Sequence, residues 1–368
     1  MANSLRWDPC ISHRGKETIA SLNEYFSQED RSVLLIAGAG FDPRSNTVAE
    51  RLGKACKNIR QVLIKEERPD PNSDLVSRAD QNAENLKSSI QNAKIIRIDI
   101  FGTDGAVVGG RQIVRELNKV NYSELTDIVV DISALSTGLS FPTLRYLVER
   151  SQKFSPAVNL HVLLSHNPEL DTQIVPVVSD TPDYIHGFKG QSTLDHLSEA
   201  AKLWLPQLVP GRRGALNRLF AFLEPHDTCP IVPFPASSPR KADKLFAEYL
   251  VELESAWSVD TRNIVYADES DPLDLYRTIL KLDDLRKPVF AEVGGSLLVL
   301  SPLGSKIMAL GGFMAALERD LPVAYIEAIS YDLNSSSPRA DTGAEIVHVW
   351  LEGDVYLNPR PPLALIGY

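Results

Sequence analysis

The sequence predicts an α/β protein built from two Rossmann-like parallel-sheet domains that form a pseudo-dimer. Three observations carry this prediction. Short, nearly all-apolar runs alternate with longer amphipathic ones, the pattern of parallel strands buried under helices on both faces. The alternation lapses in a middle stretch rich in Pro, Asp and Gly, then restarts. The length, 368 residues, suits two domains better than one.

The elements follow in order. Thr18 to Ser27 is helical in pattern, with Ile19, Leu22, Tyr25 and Phe26 on one face. Ser32 to Ala37 reads as a buried strand that breaks at Gly38-Ala39-Gly40 and Asp42-Pro43, before a helix from Thr47 to Lys57. Strands are expected at Gln61–Lys65, Lys94–Ile100, Asp127–Ile132 and Leu160–Leu164, with helices at Asp74–Asn92, Arg111–Val120 and Ser140–Gln152. Ser165 to Gly214 reads as a connection carrying one helix near Thr193–Leu203. The second series has strands at Pro230–Phe234, Arg262–Ala267, Ser296–Leu300 and Pro322–Ile326. Its helices are expected at Lys241–Glu254, Pro272–Leu282 and Lys306–Arg319, and Glu345–Leu351 reads as an edge strand. The expected division is therefore a domain over 1–165, a connecting segment over 166–228 and a second domain over 229–368.

Composition narrows the function. Hydrophobic residues make up 43% and charged residues 23%, the mix of a globular protein with real cores. No apolar run approaches the roughly 18–20 residues of a membrane span, and Met1 to Arg14 has no secretory pattern. Cys10, Cys56 and Cys229 are scattered and odd in number, which fits a reducing cytoplasm better than a disulfide framework. The net charge of −10 argues against broad nucleic-acid binding, which needs a basic field, but leaves room for a small anion held by a few cations and amides. Cys10 and His13 have C-x-x-H spacing without a second pair, so no metal site is expected, and no cofactor is predicted.

The two series resemble each other at matching places. Phe41-Asp42-Pro43-Arg44 and Ser237-Ser238-Pro239-Arg240 each follow an opening strand and precede a helix. Asp131 to Gly138 and Leu300 to Lys306 align without a gap, pairing Ser136 with Ser305 and Thr137 with Lys306. Duplication explains this; so does shared Rossmann-like architecture alone.

Several of these residues suit anion binding. Gly38 and Gly40 let backbone approach a ligand closely, although Pro43 replaces the third glycine of a dinucleotide fingerprint; a tight strand-to-helix turn explains them equally. Ser133, Ser136, Thr137 and Gly138 form a hydroxyl-rich turn that offers donors to phosphate or ribose, and one hydroxyl would be spent on capping. Gly304-Ser305-Lys306 puts a lysine at a helix start, against the helix dipole unless an anion sits there; the alternative is a solvated lysine. Arg44 and Arg240 can clamp phosphate bidentately or make a salt bridge across the two halves, for example to Asp or Glu in the middle segment.

These motifs resemble those of the CARF family of Rossmann-like ligand sensors, and two such units in one chain resemble the related SAVED domains. The resemblance rests on the Ala39–Arg44 and Ser237–Arg240 loops, on Ser136-Thr137-Gly138, and on Gly304-Ser305-Lys306 before a helix with Met308. It implies binding of a nucleotide-type ligand, in these families a cyclic or linear oligonucleotide messenger of antiviral defence, between the two halves. It also implies a partner effector protein. The competing expectations are a phosphodiesterase that degrades such a ligand, with Ser136 and Lys306 as candidate groups, and a structural subunit of a larger complex.

Overall fold

The computed structural model describes residues 5–151, 153–154, 157–190, 200–333 and 344–356. The chain divides into two compact units. Among the described residues, the first comprises 5–177 and 328–356, and the second 178–327.

The first unit opens with β1 (Ser12–Arg14) and α1 (Gly15–Phe26), followed by β2 (Val33–Gly38), α2 (Ser45–Ala55), β3 (Ile59–Glu67), α3 (Ser73–Ser89) and β4 (Ala93–Asp99). Then come α4 (Gly109–Leu117), β5 (Asp127–Asp131), α5 (Thr137–Ser151), β6 (Asn159–His166), α6 (Pro168–Gln173) and β7 (Ile174–Val178). The second unit contributes β8 (Asp183–Tyr184), β9 (Ala201–Pro206), β10 (Asp227–Thr228), β11 (Ile231–Pro233), β12 (Val265–Ala267), β13 (Ser296–Ser301) and β14 (Ala324–Tyr325). Its helices span Arg213–Leu223, Lys241–Glu248, Pro272–Phe290 and Lys306–Arg319. The chain then returns to the first unit as β15 (Ala328–Leu333), which pairs with β7, and β16 (Glu345–Glu352).

The first unit's sheet runs β1-β16-β6-β5-β2-β3-β4. β4, β3, β2, β5 and β6 are parallel; β16 runs antiparallel to β6, and β1 antiparallel to β16. β2 and β5 are buried along their whole length, as central parallel strands covered on both faces require. Leu22, Leu35, Leu52 and Leu163 belong to the core on one face.

The second unit repeats this order, with shorter strands away from its two central ones. β10 and β13 flank β9 in parallel, β11 pairs with β12 in parallel, and bridges at Gln207–Ile231 and Leu300–Val323 link the pieces. β8 runs antiparallel to β14, the position β16 takes beside β6. Both units thus carry the strand order 3-2-1-4-5 of a Rossmann half. Val129 and Leu298, the centres of β5 and β13, both lie in parallel ladders.

Four sequence-based expectations change. Ala201–Leu203 is not the end of a helix but part of β9, the central strand of the second unit; the rest of that expected helix, 193–199, lies outside the described residues. Short apolar runs satisfy both periods, and Trp204 and Leu205 fit either. The segment read as a connection over 166–228 therefore carries α6, β7, β8, β9 and a helix, so the boundaries at 165 and 229 are replaced by crossings at 177/178 and 327/328. β16 is not an edge strand, because β1 covers its outer side. Finally, the opening strand equivalent to β2 is β9, and β11 stands in the place of β3. Arg240 is consequently not the counterpart of Arg44; the turn that matches Asp42–Arg44 is Val209-Pro210-Gly211-Arg212, ahead of the helix Arg213–Leu223.

Candidate functional site

In an open parallel sheet, ligands bind at the carboxyl ends of the strands where the winding reverses. That point lies between β2 and β5 in the first unit and between β9 and β13 in the second. The structure brings Gly38, Gly40, Ser133, Ser136, Thr137 and Gly138 to the first and Gly304, Ser305 and Lys306 to the second. Arg240 lies elsewhere, exposed at the start of the helix after β11.

The first unit's site is closed by its own side chains. A Cβ at Gly38 would lie 2.9 Å from the backbone of Ala134, so the two loops touch. Asn82 Nδ2 on α3 donates to the Gly40 carbonyl at 2.9 Å. Arg44 is buried and committed. Its Nη2 and Nε reach Asp42 at 2.7 and 3.0 Å, and its Nη1 reaches Asp171 at 2.6 Å. Burial opposes its charge, yet the two carboxylates hold it protonated above the usual arginine range. The salt bridge expected to cross between the two halves is instead made inside the first unit, to Asp171.

Ser133 is fully buried and donates to Asp131, while its Oγ accepts from the Ser165 amide at 2.8 Å, tying β5 to β6. The Ser136 amide, at the start of α5, donates to Glu66 Oε1 at 2.7 Å, and Arg68 Nη2 holds Glu66 Oε2 at 2.7 Å. A carboxylate of the chain itself therefore sits where the dipole of α5 favours an anion. Ser136 Oγ is buried without a hydrogen-bond partner. Thr137 is buried and Gly138 half-buried.

The second unit differs at the same turn. Ser305 caps the helix, its Oγ accepting from the Met308 amide at 3.3 Å. The neutral Gln207, at the end of β9, accepts from the Gly304 amide at 3.0 Å and donates to the Met308 carbonyl at 3.2 Å. A Cβ at Gly304 would lie 2.4 Å from Gln207 Oε1, so only glycine permits this clasp. Lys306 occupies the first helical position, half-buried, and the first turn carries no acidic residue. This loop offers a hydroxyl, a cation and the positive helix end together, a set that stabilises a phosphate oxygen.

The motifs did not reveal Gln207 or Glu66. Both lie in or beside strands and reach loops far away in sequence, so no local pattern marks them. Cys10 and His13 point to different partners, Tyr356 and His348. Among the described residues, no group of three or more His, Cys, Asp or Glu is placed to hold a metal ion, and no helix is long and apolar enough to cross a membrane.

No protein-family model matches the chain. No curated protein matches it either. Among solved structures, a Type III CRISPR defence DNA nuclease activated by cyclic oligoadenylate aligns at 10% identity with a TM-score of 0.45, over 81% of this chain and 66% of that one. A universal stress protein from Archaeoglobus fulgidus DSM 4304 aligns at 11% identity with a TM-score of 0.24, over 81% and 97%. The cytoplasmic domain of a prokaryotic cation chloride cotransporter aligns at 11% identity with a TM-score of 0.22, over 81% and 96%.

Proposed function

We propose that this protein is a sensor of a nucleotide-type ligand, and that the Gly304–Lys306 loop of the second unit holds one of the ligand's phosphates. One observation carries the reading. Of two equivalent turns, the first holds its amide with the carboxylate of Glu66, and the second holds its amide with the neutral Gln207 and adds Lys306. A phosphate at the first turn meets a like charge; at the second it meets a cation and a helix N-terminus. The motif resemblance to CARF and SAVED proteins supplies the ligand class, a cyclic oligonucleotide in antiviral defence. It also supplies an effector protein that receives the signal, and the scattered cysteines fit a reducing cytoplasm. A net charge of −10 fits a small ligand better than a long nucleic acid.

Calorimetric titration with cyclic tetra-adenylate, cyclic di-AMP and ATP tests this, with chromatography of the ligand afterwards to detect turnover. Lys306→Ala should weaken binding by about 1.5–3 kcal/mol, the range of a charged hydrogen bond, or roughly 10- to 150-fold. Lys306→Arg should recover part of the affinity, because a planar fork replaces a point charge. Binding that Lys306→Ala leaves unchanged, or no binding of any probe by the wild type, would overturn the proposal.

A further inference from the structure

A file of hydrogen-bonded imidazoles crosses the first unit's sheet, away from the switch point. His13 on β1 meets His348 on β16, Nδ1 to Nδ1, at 3.0 Å. His348 Nε2 meets His161 Nδ1 on β6 at 3.0 Å. His161 Nε2 meets Asp127 Oδ1 at the start of β5 at 3.1 Å. His348 and His161 are buried, while His13 is half-buried on the edge strand.

The far end of the file fixes its direction. Tyr25 donates to Asp127 Oδ1 at 2.9 Å and Thr126 donates to Oδ2 at 2.6 Å, so Asp127 acts as an acceptor. His161 must then carry its hydrogen on Nε2 and accept on Nδ1. His348 must donate from Nε2 and accept on Nδ1, and His13 must donate from Nδ1. That leaves Nε2 of His13 as the basic nitrogen at the outer end. The other groups that act on the file are few. Arg31 Nη1 stands 3.8 Å from Asp127 Oδ2, Asp354 acts through space on His161, and the rings of Trp350 and Phe26 lie 4.4 and 5.4 Å from it.

We infer that His13, His348 and His161 form a one-proton relay from the edge of the sheet to the buried Asp127. A proton binds His13 Nε2, and the His13 Nδ1–H bond breaks as its proton passes to His348 Nδ1. The His348 Nε2–H bond breaks as its proton passes to His161 Nδ1. His161 then holds a proton on each nitrogen beside the Asp127 carboxylate, and both N···N hydrogen bonds survive with donor and acceptor exchanged. A second proton would put two hydrogens into one N···N gap, so the file takes up one and no more. Burial, which disfavours the charged form of both inner rings, delays uptake to acidic pH. The arriving charge competes with Arg31 for Asp127, so proton uptake at the sheet edge is felt at α1 and at the start of β2.

The test is nitrogen NMR of the full chain labelled at histidine, followed through an acid titration. At neutral pH, His13 should be the Nδ1–H tautomer, and His348 and His161 the Nε2–H tautomer. On acidification His13 and His348 should both switch tautomer while His161 becomes doubly protonated, in one step with a common midpoint below that of a free imidazole. His348→Gln should break the relay, so that His161 does not respond in that range. If that variant does not fold, His13→Gln, at the half-buried end, should likewise abolish the His161 response. Separate midpoints for the three rings, or a His161 that titrates unchanged in either variant, would overturn the inference.

Discussion

Arg44 shows what a cation after a strand is spent on. It bonds Asp42 two residues away and Asp171 on a distant helix, and it is almost wholly shielded from solvent. Removing Arg44 leaves the buried Asp42 desolvated without compensation, at a cost of about 3–5 kcal/mol, while the exposed Asp171 returns to solvent. Arg44→Ala should lower the urea unfolding midpoint of the first unit accordingly, and Arg44→Lys should restore little, because a lysine cannot serve both carboxylates with a fork. A loss under about 1 kcal/mol would show that the triad contributes little to the fold. The sequence marks Arg44 as a residue with a task but cannot choose the task, since Asp171 lies on the far side of four strands. His161 and His348 give the same lesson. Each is a polar residue inside an apolar strand, which is visible, but their mutual contact depends on β16 pairing with β6, which is not.

Elements were legible where burial made them simple. β2, β5 and β13 are continuous apolar runs and were found within a residue or two; the helix Lys306–Arg319 was found with its limits. β9 was missed because six residues between prolines and polar loops show no period of their own. The alignment of Ser136 with Ser305 survives in the structure, since β5 and β13 hold the same place. The alignment of Arg44 with Arg240 fails because it skips that hidden strand. At this scale Gly304 is decisive. Gln207 is fixed at both ends of its amide, so a methyl 2.4 Å from its oxygen forces the clasp apart. Gly304→Ala should destabilise the second unit by about 1–3 kcal/mol in chemical denaturation, as overpacking does. An unchanged midpoint would mean that Gln207 can swing away.

At the scale of the whole molecule, stability should fall in acid. His161 and His348 are kept neutral by burial, so their folded pKa values lie below the unfolded value near 6.5. The unfolded chain then binds more protons than the folded one, and stability rises with pH. This contribution is complete above about pH 6.5 and is lost as pH falls through it. Asp127 and Glu269 act the same way lower down. Burial alone would raise both, but His161 holds Asp127 and Lys241 holds Glu269 below the usual carboxylate range. Their contribution is present above about pH 4 and lost below it. Urea midpoints should therefore decline from pH 7.5 to 5.5 and again below pH 4.5. A flat profile across the first interval would contradict the burial of the two imidazoles.

The return of the chain to its first sheet sets an order of events during synthesis. β16 lies between β1 and β6 and is the ladder partner of β1. Between His166 and Glu345 the ribosome must translate residues 178–327 of the second unit. At about 5–20 residues per second, the outer edge of β6 waits on the order of 10–40 s for its neighbour. The first sheet is thus completed only after residues 178–327 have been made, and its nascent form carries an open strand edge of the kind that recruits chaperones or foreign strands.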